Sequence, residues 1–337
     1  MTFIELGELC DKGISNLAQK DLLLDSGRYP VYGAAGEITK VGFYQQSKPY
    51  LGIVKDGAGV GRVMRLPSNS SVIGTLQYIF PKENVDLTYL YYLIKYLDLG
   101  KSNTGATIPH IYFKDYRKRK VNVRSYSEQK HIGKIFELLD MQLNTYKNTL
   151  NEYNLLIKSR FVEIFGAFNI NRNNYNTIKF KDLIEQNNIN EEDMVWLLNL
   201  DMIKSNTGEI IEKVYINRQN IPTSSISFKK GTVLYSKLRP YLNKVVIADE
   251  NGYGTSELIP LNSYKNGLTA EYLAYYLRQD SFVEYIKDKV TGAKMPRVAM
   301  DILRNIDIIQ PNYISQEQFS SFVNQINKLK FAQIVYN

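Results

Sequence analysis

The stretch SYSEQKHIGKIFELLDMQLNTYKNTLNEYNLLIKSRFVEIFG, residues 125–166, decides how this chain is organised. Its apolar positions Ile132, Phe136, Leu139, Leu143, Tyr146, Leu150, Tyr153 and Ile157 are spaced 4-3-4-3-4-3-4. A period of 3.5 residues keeps an apolar seam on one side of a helix wound against a partner. Ser125 and Glu128 fit a capping box at the start. The stripe runs on through Phe161, Ile164 and Phe165, and Gly166 ends it. A helix over 128–165 extends roughly 55 Å at 1.5 Å per residue, and a lone helix of that length needs something to cover its stripe.

Outward from this helix the two halves of the chain echo one another. NTGATIPHI at 103–111 matches VTGAKMPRV at 290–298, so that Gly105 falls on Gly292 and Pro109 on Pro296, each 187 residues later. LTYLYYLIKY from Leu87 parallels LTAEYLAYYLRQ from Leu268. IGTLQYIFP from Ile73 parallels YGTSELIPL from Tyr253, and SYSEQ from Ser125 parallels NYISQEQ from Asn312. Segments repeated in one order mark a duplication. Each half reads as strand-like runs with turn glycines, a tyrosine- and leucine-rich helix, a Gly-x-x-x-Pro loop, one more strand and a terminal helix.

The expected fold is therefore α+β, two similar modules separated by long helices in an antiparallel coiled coil with an internal pseudo-two-fold repeat. The expected divisions are a first module over 1–126, a central helix over 127–166, a second module over 167–314 and a short distal helix over 315–337. Ser315 and Gln318 fit a capping box for that distal helix, and Phe319, Phe322, Ile326 and Leu329 form its stripe. A homodimeric coil is the alternative partner for the central seam.

Length and composition agree with two domains: 337 residues, 44% hydrophobic, 42 Lys plus Arg against 34 Asp plus Glu. The net charge of +8 is compatible with a polyanionic partner. The single cysteine, Cys10, excludes an internal disulfide and a cysteine-based zinc site. MTFIELGELCDKG lacks the pattern of a signal peptide, and no run approaches a membrane span. A soluble, cytoplasmic protein is expected.

These ordered blocks resemble the specificity subunits of type I restriction–modification systems. GATIPHI followed by SEQKHIGKIFELLD is similar to that family's passage from recognition domain to central helix. LIKSRFVEIFG at 156–166 is similar to the end of its central region, and KGTVLYSKLRPYLNKVVIA at 230–248 to a strand pair of its second recognition domain. The resemblance implies a non-catalytic subunit that reads a bipartite duplex DNA target, one half-site per module. It implies docking of methyltransferase subunits, two in number, and of restriction subunits in the full complex. It also implies that no cofactor binds this chain, S-adenosylmethionine, ATP and Mg belonging to the partners. Two departures stand out: Arg124 where the family often has proline, and the short distal helix. The alternatives are the recognition part of a fused restriction–methylation protein, and a coiled-coil adaptor that binds proteins.

Phosphate contacts position a protein on DNA and base-edge contacts specify sequence. Candidates lie on the repeated loops: Lys101, Ser102, Asn103, Thr104 and Thr107 around Gly105, and Thr291, Lys294 and Arg297 around Gly292. Lys237 and Arg239 sit at a hairpin tip, where arginine can address guanine in the major groove. Lys55 and Arg62 hold comparable places in the first half. Solvated turns are the rival reading for each. The run RKRK at 117–120 is either a phosphate contact or the solvated face of an edge strand.

Catalytic readings lack residues. DGAGVGR at 56–62 is followed by VMRLP rather than a helix, so it reads as a hairpin turn and not a dinucleotide loop. The Asn/Asp-Pro-Pro-Tyr/Phe motif of amino-methyltransferases and the Gly-x-x-x-x-Gly-Lys-Ser/Thr phosphate loop are missing. His110 and His131 have no metal-ligand spacing, and Cys10 has no evident base.

Overall fold

The computed structural model describes residues 2–22, 27–102, 109–171, 173–185, 189 and 193–335. It divides into two compact units, Met1–Thr145 and Tyr146–Asn337, with the boundary inside one unbroken helix, Tyr126–Phe165. Among the described residues no helix is long and apolar enough to cross a membrane.

In the first unit the strand Thr2–Glu5 pairs antiparallel with Lys120–Val123, so the opening segment is tied to the strand that precedes the long helix. A four-stranded sheet runs in the order Cys10–Ile14, Leu76–Pro81, Tyr50–Val54, Val63–Leu66. Its strand YLGIV is buried at every position, which fits an uninterrupted apolar run covered on both faces. A smaller sheet joins Gly36–Val41, Tyr29–Gly33 and Ser71–Val72, the last pair parallel. The helix Leu87–Leu97 starts where the Asp86 carboxylate accepts from the Tyr89 N–H, a cap that satisfies an otherwise orphan donor.

The second unit repeats this order. Asn176–Lys179 pairs antiparallel with Asp307–Gln310. Val233–Ser236 lies between Val245–Ile247 and Leu258–Leu261. Met194–Leu198 pairs in parallel with Gly252–Gly254, as Tyr29–Gly33 does with Ser71–Val72. The helix Ala270–Arg278 is capped by Thr269 as its counterpart is by Asp86. The second unit adds the strand Ile226–Phe228 and the helix Asp280–Lys287. The fold is α+β, as the repeat implied.

Each unit also contains a buried glutamine making the same set of hydrogen bonds. The Gln129 amide donates to the carbonyls of Arg124 and Asn84, and its oxygen accepts from Asp86 N–H. Gln316 donates to the carbonyls of Pro311 and Gly267 and accepts from Thr269 N–H. Gln129, buried to 2% exposure, and Gln316, to 0%, each join a terminal helix to the cap of the tyrosine-rich helix and to the strand exit. Two tyrosines repeat the pattern: Tyr89 Oη donates to the Asn122 carbonyl and Tyr272 Oη to that of Ile309.

The Ser125–Glu128 capping box is present, with Ser125 N–H donating to Glu128 Oε2 at 2.9 Å and Glu128 N–H reaching Ser125 Oγ. The distal helix begins earlier than Ser315. It spans Tyr313–Val335, and Asn312 caps it by accepting from Ser315 N–H at 2.9 Å. Asparagine directly after Pro311 reaches the orphan donors one turn sooner, which places Ser315 and Gln318 inside the helix. This helix lies antiparallel to the C-terminal part of the long helix. Phe319 meets Phe161 and Phe165 edge-on, and further along Lys330 Nζ donates to Asn154 Oδ1.

The packed stripe of the distal helix is Phe319, Val323 and Ile326, while Phe322 is half-buried and Leu329 is exposed. The buried face follows Gln316 at 319, 323 and 326 and runs on to the half-buried Lys330, so Val323 is covered more than Phe322 and Lys330 more than Leu329. Of the central seam, Ile157 is buried, and Tyr153, Leu150, Tyr146 and Ile132 are partly buried. Phe136, Leu139 and Leu143 are exposed.

Candidate nucleic-acid interface

In the second unit the chain between Val233–Ser236 and Val245–Ile247 turns through a short helical turn, Pro240–Leu242, and carries Lys237 and Arg239. It is stitched to the small hairpin Val290–Thr291/Arg297–Val298. Lys237 N–H donates to the Glu257 carbonyl at 3.0 Å, and the Lys237 carbonyl accepts from Val298 N–H at 3.0 Å. Arg239 N–H donates to the Pro296 carbonyl at 2.7 Å, and its guanidinium reaches the Lys294 carbonyl at 3.3 Å. Lys237, Arg239, Thr291, Lys294 and Arg297, placed by sequence on two separate segments, therefore share one surface.

The first unit makes the same stitches. Lys55 N–H donates to the Thr75 carbonyl at 2.9 Å, Ile111 N–H to the Lys55 carbonyl at 3.0 Å, and Gly57 N–H to the Pro109 carbonyl at 2.9 Å. Isolated bridges fall on matching pairs, Asp56 with His110 and Leu238 with Arg297. Lys237 thus corresponds to Lys55, Arg239 to Gly57 and Pro296 to Pro109. The correspondence explains a strained residue. Gly57 has φ +85°, and Arg239 adopts φ +47° at the same place. A left-handed arginine costs on the order of 1 kcal/mol. That cost is offset by its backbone bond to Pro296 and leaves the side chain at the loop's edge, where Arg239 is exposed.

Not every cation is free. Arg297 donates through Nε and Nη2 to the largely buried Glu257 carboxylate at 2.9 and 2.8 Å, and this partner pushes its pKa up. Arg62 donates to the Ala34 carbonyl at 2.8 Å. Lys101 pairs with Asp98 at 3.0 Å and Lys55 with Asp56 at 3.7 Å. Among the described residues the side chains of Lys237 and Lys294 have no ion-pair partner, and Thr291 is exposed. Ser102 ends the turn Leu99–Ser102, and Asn103, Thr104 and Thr107 lie outside the described residues. Of the run RKRK only Lys120 belongs to a strand, and Arg119 donates to the Leu97 carbonyl at 2.8 Å.

Glu257 is the residue sequence reasoning missed here, although it sits in the repeated block YGTSELIPL. Its Oε2 is buried without a partner, so the carboxylate is committed to Arg297 on one side only. Nucleophilic chemistry finds no support at Cys10, where burial pushes the thiol up to about 12 and so keeps it protonated at neutral pH. Among the described residues no three His, Cys, Asp or Glu side chains gather as a metal site would require.

Comparison with known proteins gives one answer. Residues 1–155 match the family model described as the type I restriction modification DNA specificity domain. Over 364 aligned positions the chain is 21% identical to the type I restriction enzyme EcoDI specificity subunit of Escherichia coli, covering 96% of this chain and 80% of that protein. It is 27% identical over 129 positions to the MjaIX specificity subunit of Methanocaldococcus jannaschii, covering 35% of this chain and 29% of the relative. Among solved structures, the S subunit of a type I restriction-modification system from M. genitalium aligns with a TM-score of 0.59 at 13% identity, covering 99% of this chain and 93% of that one. A chain from a study of type I R-M complex assembly and conformational transition aligns with a TM-score of 0.51 at 13% identity, over 98% and 91% of the two chains. Likenesses at such identity speak for the fold, which this chain shares with S subunits of type I restriction–modification systems, and residues 1–155, just under half of the chain, carry the match to the DNA specificity domain.

Proposed function

We propose that this chain reads a bipartite duplex DNA target, with the stitched loop pair of each unit addressing one half-site. The observation that carries the reading is the recurrence of one backbone hydrogen-bond set at Lys55–Gly57/Pro109–Ile111 and at Lys237–Arg239/Pro296–Val298. A rigid frame built twice presents two loops of different side chains, which suits two half-sites of different sequence. Lys237, Arg239 and Lys294 are assigned to the second half-site, and Lys55 with the loop around Gly57 to the first.

The chain catalyses nothing in this reading. Methyl transfer and cleavage belong to methyltransferase and restriction subunits that it holds through its helices, and S-adenosylmethionine, ATP and Mg belong to those partners. The test is to obtain the target by methylome sequencing of cells expressing the chain with its cognate methyltransferase, then to measure binding of duplexes altered in one half at a time. Support is binding that depends on both halves and weakens steeply with salt as counterions are released. Methyl transfer by the purified chain alone, or binding indifferent to either half, would defeat the reading.

A further inference from the structure

At the C-terminal end of the helix Ala270–Arg278 the second unit buries a charge that its own side chains leave unbalanced. Arg278 is 8% exposed. Its Nε donates to the Val245 carbonyl at 3.0 Å, and the guanidinium carbon lies 5.0 Å from the centre of the Tyr275 ring. Gly208, with φ +69°, packs so close that a Cβ there would collide with the guanidinium. Among the described residues no carboxylate pairs with Arg278. The acidic groups nearby are engaged elsewhere, Asp280 with Lys158 at 2.8 Å and Glu209 with Lys204 at 2.7 Å. One carbonyl and a ring face do not neutralise a full charge, and an unpaired charge out of water is costly.

Arg278 stands on the shared wall of two adjoining cavities of about 270 and 720 Å³, together with Asn154, Thr207 and Tyr275. The smaller cavity is mostly apolar, lined by Phe161, Val162 and Ala167, and its wall holds Gln279, whose Oε1 is buried without a partner. The larger adds the half-buried Lys330, whose Nζ donates to Asn154 Oδ1 at 2.7 Å. Burial pushes the Lys330 ammonium below its ordinary range, Glu209 opposes the shift and Arg278 adds to it. Among the described residues the wall charges without an ion-pair partner are Arg278, Lys330 and Lys147 against Glu271. We infer that this cleft binds a small phosphate monoester with an apolar body, the phosphate seated on Arg278 and Lys330 and the body in the smaller cavity. Such a phosphate carries about two negative charges at neutral pH and so matches two cations, where a carboxylate brings one. A duplex backbone is not the occupant, because the guanidinium lies too deep for a rod of that width. The inference is independent of the DNA reading and can fail without it.

The test is calorimetric titration of the whole chain, at low ionic strength, with phenyl phosphate, inorganic phosphate and benzoate. Phenyl phosphate is expected to saturate one site, at least about tenfold tighter than inorganic phosphate because of its apolar body, and tighter than benzoate by a similar factor. Arg278→Gln should abolish binding. Lys330→Gln, at a half-buried helix position, should weaken it at least about tenfold through the loss of one charge-assisted contact, and it decides the matter if Arg278→Gln loses its helical circular dichroism. No saturable binding, or binding that Lys330→Gln leaves unchanged, overturns the inference. Benzoate binding as tightly as phenyl phosphate would overturn the choice of phosphate. Displacement of phenyl phosphate by duplex DNA would give the seat to backbone phosphate and overturn the inference too.

Discussion

Two valleys, one beside Leu87–Leu97 and one beside Ala270–Arg278, are framed by the same bonds and hold different contents. The frame is polar: a buried glutamine, a capped helix start and a tyrosine reaching a strand carbonyl recur in both units. The contents are apolar and have diverged: Phe161, Phe165 and Phe319 crowd one valley, while Phe136 and Tyr96 stand bare at the other. A buried hydrogen-bond set tolerates little change, because losing one member leaves other groups desolvated and unpaired. Apolar packing tolerates exchange as long as volume is kept. The repeat therefore survives most clearly in its polar joints.

The largest expected effect tests the filled valley. Phe161→Ala should cost about 4 kcal/mol of stability, since it removes a fully buried ring among aromatic neighbours. Phe136→Ala, at the matching bare valley, should cost under about 1 kcal/mol. Chemical denaturation read by circular dichroism compares them, and equal losses would break the contrast between the valleys. Next come the shared joints. Gln316→Leu and Gln129→Leu should each cost roughly 3 kcal/mol, leaving a cap N–H and two carbonyls unpaired. Here the prediction is similarity, and a large disparity would show that one joint is dispensable.

The loops come third. Arg239→Ala should weaken binding of the cognate duplex by about 1–3 kcal/mol, with the lost selectivity confined to one half-site. Equal loss of selectivity at both halves would contradict the assignment of one unit to each. Glu257→Gln releases Arg297 from its carboxylate, so binding should tighten and its salt dependence steepen by about one counterion. An unchanged salt slope would show that Arg297 stays away from phosphate.

The smallest effect is electrostatic. Hydrogen bonding from Tyr92, aided by Lys95, holds the Asp140 carboxyl below its ordinary range. A depressed carboxyl contributes stability above its unfolded pKa, and that contribution disappears as pH falls through the folded value. Asp140→Asn should therefore destabilise slightly at neutral pH and not at all in strong acid, the group being too exposed for more. The matching residue of the other unit is already Asn327. A loss that persists in acid would mean the side chain acts by packing and not by charge.

Much of the architecture was legible because it follows local periodicity. The 3.5-residue seam, the Ser125–Glu128 box and Gly166 delimit one long helix, and the repeated Gly-x-x-x-Pro blocks announce two similar units. The candidate loops were legible as segments, and Lys237, Arg239 and Lys294 do meet on one surface. Less legible were the pairings. A glutamine one turn into a polar helix start reads as solvated, yet Gln129 and Gln316 are the joints of both units. Phe322 and Leu329 fit the stripe by spacing, but the face that follows Gln316 covers Val323 and Lys330 more than either.

What the sequence by itself determined is the duplication, the α+β class and the long helix, since these rest on repeat order, side-chain alternation and helical period within single segments. Only the tertiary structure decided which cations are free, which helix face is covered and which valley stands open. Those outcomes depend on groups far apart along the chain, such as Glu257 against Arg297 and Phe161 against Tyr272, brought together by the stitched frame. A linear pattern carries the tendency of each segment, whereas contact between distant segments is settled by the free energy of the packed whole.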